Sequence, residues 1–124
     1  MSSRPLSELR AGIQAAQQEA EAGFREFLID VMEGVQERWN RRAPILTGEF
    51  RADLRPHGPG SDGREKSGSP AGRAEVEAAM RGWTIGEPCG HRNNHPAAVR
   101  LTARRPKGWP VQIVRDSVSA ARRG

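Results

Sequence analysis

An apolar stripe runs through the first third of the chain and constrains the fold more than any other feature. Its members lie three or four residues apart, which is the period of one helix face. A continuous helix over residues 4–42 would extend about 57 Å, which exceeds the breadth of a domain of 124 residues. Either the helix breaks, or one end projects onto a neighbour. The stripe consists of Leu6, Leu9, Ile13, Ala16, Ala20, Phe24, Phe27, Val31, Val35 and Trp39.

Glycine recurs inside this predicted helix at positions 12, 23 and 34. Each glycine weakens a helix by about 1 kcal/mol relative to alanine. We expect a break, or a close crossing with another helix, at Gly23. Ser3 suits the N-cap, Pro5 suits the first turn, and basic residues at positions 38, 41 and 42 suit the negative end of the helix dipole.

A corner follows the helix. Pro44 disfavours helical backbone at the residue before it, and Thr47 and Gly48 supply the hydroxyl and the permissive backbone of a turn. After the corner, apolar and charged residues alternate from Phe50 to Arg55, which predicts a half-buried strand with the charged residues facing outward. If the turn needs a positive φ, Gly48→Val should damage the corner.

The middle of the chain changes composition abruptly. Residues 56–71 are rich in glycine, proline and serine, which predicts a mobile loop that can order against a neighbouring molecule. Residues 73–81 predict a short amphipathic helix that Gly82 ends. One or two strands are expected from Trp83 to Cys89, followed by a turn formed by Asn93, Asn94 and Pro96.

The last quarter predicts a strand and a helix. Val99 and Leu101 alternate with Arg100 and Thr102, which predicts a strand with one basic face. Helical spacing returns over residues 109–122. The whole chain, residues 1–124, is therefore expected to form one α+β domain, in which a long N-terminal helix and shorter helices pack on a mainly antiparallel β-sheet.

Composition and charge indicate partners. Hydrophobic residues make up 35% and aromatic residues 5% of the chain, so its core is thin and additional burial against neighbouring copies is expected. Residues 91–124 contain eight Lys or Arg and one acidic residue, Asp116, whereas residues 1–90 are slightly acidic. This asymmetry indicates an anionic partner for the basic set Arg100, Arg104, Arg105 and Lys107, either nucleic acid or an acidic protein surface. A solvated basic tail is the alternative.

Catalytic and metal signals are weak. Cys89, His91 and His95 have a spacing that could hold zinc, but no fourth donor accompanies them. No recognisable setting surrounds a Ser, His and Asp set, and the paired acids at helical positions two apart point away from each other. We therefore expect no enzyme activity, no metal and no cofactor.

The corner resembles that of a family of tailed-bacteriophage minor tail or tail-completion proteins, which act in the neck where head and tail join. The same order of short motifs continues in residues 86–88, 93–94, 96–97 and 106–109, so the resemblance spans residues 20–122. This chain has no tyrosine, so the role of the family's Tyr-Ala pair is not carried over. The corner residues that match are Ala43, Pro44, Thr47, Gly48, Phe50, Arg51 and Ala52.

The resemblance implies a structural virion protein. It implies a ring homo-oligomer, expected to be sixfold, that contacts an adjacent connector protein and the tail tube protein, with transient contact to packaged DNA and none with a membrane. Its location would be the virion neck, and the host cytoplasm before assembly. A small basic DNA-binding regulator or architectural protein is the main alternative, although no helix-turn-helix or zinc-finger pattern is visible. A toxin or antitoxin partner is a third possibility.

Overall fold

The computed structural model describes residues 4–43, 49–64, 68–96, 98–103 and 107–123. It confirms the α+β class, with a long N-terminal helix, shorter helices and a two-stranded antiparallel sheet. The elements, in chain order, are α1 (Arg4–Arg42), α2 (Glu49–Ala52), β1 (Leu54–His57), α3 (Arg73–Ala79), β2 (Gly90–Asn93), α4 (Ala98–Thr102) and α5 (Trp109–Arg123).

Helix α1 is continuous, so the break expected at Gly23 is wrong. A Cβ atom added at Gly12 or Gly23 would meet no atom of the described residues within 4 Å, so neither glycine marks a crossing with a described element. The close crossing lies at Gly34 instead, where the same Cβ would lie 3.3 Å from Cβ of Ser117 in α5. The N-terminal half of α1 is exposed and extends away from the rest of the fold, whereas its contact with a neighbour stays a prediction.

Helix α5 packs along the second half of α1. The ring centroids of Trp39 and Trp109 lie 4.8 Å apart, and those of Trp39 and Phe50 lie 5.3 Å apart. Arg42 of α1 makes an ion pair of 2.6 Å with Asp116 of α5. This packing joins both helices and α2 into one cluster. Its buried members are Val31, Val35, Trp39, Ala43, Phe50, Leu54, Leu101, Trp109 and Ile113.

A second cluster lies on another side of α1 and contains Ile29, Met32, Val76, Met80 and Trp83. Val76 and Met80 come from α3 and the turn that follows it, so the expected apolar side of that helix is buried. The second half of α1 is thus covered on more than one side. A helix that is apolar beyond one stripe is expected to be buried in this way.

Strand β1 pairs antiparallel with β2, and Pro56 lies opposite His91. The strand predicted from residue 50 is wrong at its start, because residues 49–52 form α2 and β1 begins at Leu54. The outward charged face is also wrong. Asp53 and Arg55 are buried, and Arg55 donates from Nη1 to the carbonyl of Ser69 at 2.9 Å.

The prediction of a mobile loop over residues 56–71 is wrong in several places. Pro56 and His57 belong to β1, and Gly58 and Ser61 form a tight antiparallel bridge. The amide of Gly60 donates to the carbonyl of Ala79 at 2.9 Å, so the start of this segment packs on the end of α3. The backbone groups of a glycine-rich segment can therefore hold it against the fold without large side chains.

Two other predicted strands are absent from the described part of the chain. Residues 83–89 form turns, and the strand begins at Gly90. The strand predicted around Val99 and Leu101 is helix α4, in which the hydroxyl of Thr102 donates to the carbonyl of Ala98 at 2.8 Å. Three or four alternating residues also fit one helical turn, so this stretch of sequence was too short to distinguish a strand from a helix.

Candidate functional site

The corner between α1 and α2 is closed by Arg51. Its Nε and Nη2 atoms donate to the carbonyl of Ala43 at 2.9 and 2.5 Å. Ala43 directly follows α1, so this side chain satisfies a carbonyl that the helix leaves unpaired. The other three predicted corner residues, Pro44, Thr47 and Gly48, lie outside the described residues.

The predicted turn residues tie β2 to the segments around it. Asn93 ends β2, and its Nδ2 atom donates to the carbonyl of Phe50 at 2.9 Å. Its Oδ1 atom accepts from the amide of His95 at 2.9 Å, which forms the expected turn. Asn94 donates from Nδ2 to the carbonyl of Gly63 at 2.7 Å, and Pro96 is exposed in the turn. These contacts are structural.

The basic set is not arranged as predicted. Arg100 lies on α4 and Lys107 lies in the turn before α5, and both are exposed. Because α4 is a helix, the alternating strand that was expected to align the basic side chains does not exist. Arg104 and Arg105 lie outside the described residues. The described members of the set are therefore one exposed cation on a helix and one in a turn.

Cys89, His91 and His95 are not brought together into one group. Among the described residues, no group of three His, Cys, Asp or Glu side chains is placed to hold a metal ion. The ring of His95 lies 5.9 Å from that of Phe50 in an edge contact. Cys89 and His91 line a different feature, an apolar groove beside α1.

The N-terminal arm, defined here as residues 5–24 of α1, carries the largest set of exposed apolar side chains. Leu6, Leu9, Ile13 and Phe24 are 64, 59, 51 and 57% exposed. They are the first half of the stripe that predicted the helix, and this half packs on no other described element. The arm extends about 30 Å. A regular apolar face on an unsupported helix is typical of an assembly surface.

The groove lies between α1, β2 and α5 and has a volume of about 420 Å³. No Asp, Glu, Lys or Arg is among its described lining residues. Sequence reasoning missed it. Leu28 and Met32 are apolar residues that lie beside the main stripe. Their positions were the sequence signal that α1 is buried on several sides. Its floor and walls include Leu28, Val31, Val35, Cys89, His91 and Val114.

The groove wall stays uncharged. The pKa of His91 is lowered to about 4, first by burial and then by nearby His57, while the backbone of Met32 opposes the shift. Burial also raises the pKa of the Cys89 thiol. At neutral pH both side chains are therefore neutral. Trp39 also lines the groove. Its indole Nε1 atom and the Nε2 atom of His91 are buried and have no hydrogen-bond partner among the described residues.

Comparison with models of known families, with curated proteins and with solved structures gives no match for this chain. None of the helices in the described ranges has the length and apolar character needed to cross a bilayer.

Proposed function

We propose that this chain is a non-enzymatic structural protein of a tailed-bacteriophage virion, which forms an oligomeric ring at the head-tail junction. In this role it acts as a neck connector or tail-completion protein between the portal side and the tail tube. Its partners are other copies of itself, the adjacent connector protein and the tail tube protein.

The N-terminal arm is the observation that carries the proposal. About 30 Å of helix extends from the fold with its apolar face exposed. In a solitary protein this face would cost solubility and contribute nothing to the core. In a ring, each arm can bury its stripe on a neighbouring copy, and the thin core of each protomer is supplemented by burial between copies.

The junction itself is suggested by the corner. Three of the residues that resemble the phage family, Ala43, Phe50 and Arg51, are joined to the fold by described contacts. The hydrogen bonds from Arg51 to the carbonyl of Ala43 tie α2 to the end of α1, and so set the angle between the long helix and the rest of the domain. In an assembly, that angle determines where the arm reaches the next copy.

Exposed basic side chains suit the assembly to bind an anionic partner. Arg100, Lys107, Arg122 and Arg123 are exposed in the last quarter of the chain. Repeated around a ring, even separate cations produce a positive collar that can contact acidic protein surfaces or passing DNA.

The proposal is tested in the phage or prophage that encodes the chain. Mass spectrometry of purified particles should detect the protein, and deletion of its gene should leave filled heads and tails that do not join. Complementation with an Ile13→Arg variant should fail, whereas complementation with Ile85→Arg should succeed, because Ile85 is also exposed but is not part of the arm. Particles that lack the protein would refute the virion role.

The DNA-binding alternative has its own signature. Gel-shift titration should give weak binding to duplex DNA that is lost as salt rises, because the contacts are to phosphate. Sequence-specific binding tighter than micromolar that survives moderate salt would instead identify a regulator.

A further inference from the structure

We infer that the groove beside α1 is the receptor for the N-terminal arm of a second copy, so that the protein assembles head to tail, each protomer inserting its arm into the next. The inference rests on the proposed function only in requiring that copies associate. The arm and the groove are the two surfaces that meet, and the segment that contains Leu6, Leu9 and Ile13 is the inserted tip.

The arm cannot enter the groove of its own chain. The groove floor is formed by residues of α1 between Leu28 and Trp39, and the arm is the earlier part of the same unbroken helix. A straight helix extends away from its own later turns and cannot fold back on them. Any arm that lies in the groove therefore belongs to another molecule.

The tip fits the groove in length and chemistry. Leu6 to Ile13 spans about 10 Å of helix, which is shorter than the floor from Leu28 to Trp39, about 16 Å long. The tip presents only apolar side chains along its stripe, and no carboxylate or cationic side chain lines the groove among the described residues. Packing the tip into the groove buries apolar surface without burying an unpaired charge of the groove.

The small residues of the arm explain why its tip enters the groove. Between Ile13 and Phe24 the stripe contains Ala16 and Ala20, and Gly23 lies beside it in a shallow apolar depression with Phe27. Small side chains cannot fill a cavity of about 420 Å³. Leucine and isoleucine side chains can, so Leu6, Leu9 and Ile13 are the inserted groups and the alanine segment spans the gap between protomers.

The docking of an arm into a groove also determines the symmetry of the assembly. Two different surfaces, arm and groove, form this contact, so it is heterologous and generates a ring if its rotation closes.

Cys89, the one cysteine of the chain, makes the docking testable by disulfide formation, because it lines the groove. A Leu9→Cys variant adds a thiol to the exposed tip, where no packing of the fold is disturbed. In mildly alkaline buffer with diamide as oxidant, head-to-tail docking should give a ladder of disulfide-linked multimers. Arms that pair with each other would give covalent dimers through the introduced thiols alone.

Matched variants isolate the contact. A Leu9→Cys/Cys89→Ser protein should form no disulfide by itself, but should form a covalent dimer when mixed with the wild type. A Val114→Arg substitution in the wild-type component should reduce that dimer by more than about tenfold, whereas Ile85→Arg should leave it unchanged. Val114 and Ile85 are both exposed enough to accept arginine, and circular dichroism checks their folding.

The inference is overturned if the mixture forms no disulfide, if Val114→Arg does not reduce it, or if the arm-thiol variant dimerises alone. These outcomes are independent of the virion experiment. A ladder from a protein that is missing from particles would refute the neck role and keep the docking. A protein that is present in particles but forms no disulfide ladder would keep the neck role and refute the docking.

Discussion

The side chain of Arg51 donates two hydrogen bonds to the carbonyl of Ala43, and it thereby ties helix α2 to the end of α1. We predict that Arg51→Ala destabilises the protein by about 2 kcal/mol, because hydrogen bonds from a charged donor contribute more than neutral ones. Arg51→Lys should recover only part of the loss, since a lysine cannot make the paired contact. Urea unfolding measures both, with Arg115→Ala on the exposed face of α5 as the control. Equal stability of Arg51→Ala and the wild type would show that the clamp is dispensable.

Gly34 allows α5 to approach α1. A Cβ at this position would lie 2.8 Å from Nη1 of Arg38 and 3.3 Å from Cβ of Ser117. We expect Gly34→Leu to separate the helices and to cost about 1 to 3 kcal/mol of unfolding free energy.

Gly12→Ala is the matched control for that substitution. No atom lies within 4 Å of its added Cβ, so it should raise helicity in far-ultraviolet circular dichroism through the propensity gain of alanine. If Gly34→Leu proved as stable as the wild type, the helices would not be packed as closely as described.

His91 should make stability depend on pH. Its pKa is lowered from 6.5 to about 4, first by burial, so the unfolded chain binds a proton at a pH where the folded chain does not. Stability is therefore complete above the unfolded pKa and falls as pH drops towards the folded pKa, by about 3 kcal/mol at most.

The test compares wild type with His91→Gln by urea unfolding at about pH 7 and about pH 4.5. The variant should lose less stability between the two, because its amide does not titrate. The carboxylates that titrate in this range are common to both proteins and cancel in the difference. An identical loss in the two proteins would exclude His91 as the cause.

Arg73 holds an acidic surface of α1 to α3. Its guanidinium lies within 3.3 Å of Glu26, Asp30 and Glu33 of α1 and of Glu77 in its own helix. Asp30 first, and then Glu33 and Glu77, raise the pKa of Arg73. Arg73→Ala leaves the acids to repel one another. We expect a loss of about 1 kcal/mol, discounted because the group is partly exposed.

Salt dependence distinguishes this network from simple packing. The effect of Arg73→Ala should shrink as sodium chloride is raised, because screening weakens both the attraction in the wild type and the repulsion in the variant. Arg81→Ala, at an exposed position after the same helix, should have little effect at any salt concentration. A loss that does not change with salt would assign the role of Arg73 to its aliphatic packing.

The sequence predicted those elements whose apolar period extends over several turns. The stripe from Leu6 to Trp39 placed α1, and the spacing of Trp109, Ile113 and Val118 placed α5. The short alternations beginning at Phe50 and Val99 were misread as strands, because a few residues fit both periods. At Thr102 the hydroxyl bonds back to the preceding turn, and this helical contact is not visible in a hydrophobic pattern.

The arm was foreseen and the groove was not. The length of the stripe implied that one end projects, and Leu6, Leu9 and Ile13 lie on that end. The groove depends on three elements that meet only in the fold, with Leu28, His91 and Val114 coming from distant parts of the chain. No local period reports such a surface. The charge pattern located a basic last quarter, but it could not arrange the side chains because α4 is not a strand.

Negative-stain electron microscopy of the full-length protein mixed with purified tail tubes tests the central claim most directly. We predict closed rings of several copies at the tube ends, and their loss when Ile13 on the arm is replaced by arginine. Single copies on the tubes, or rings that persist unchanged in the Ile13→Arg protein, would contradict the claim that the arms of identical copies hold the assembly together.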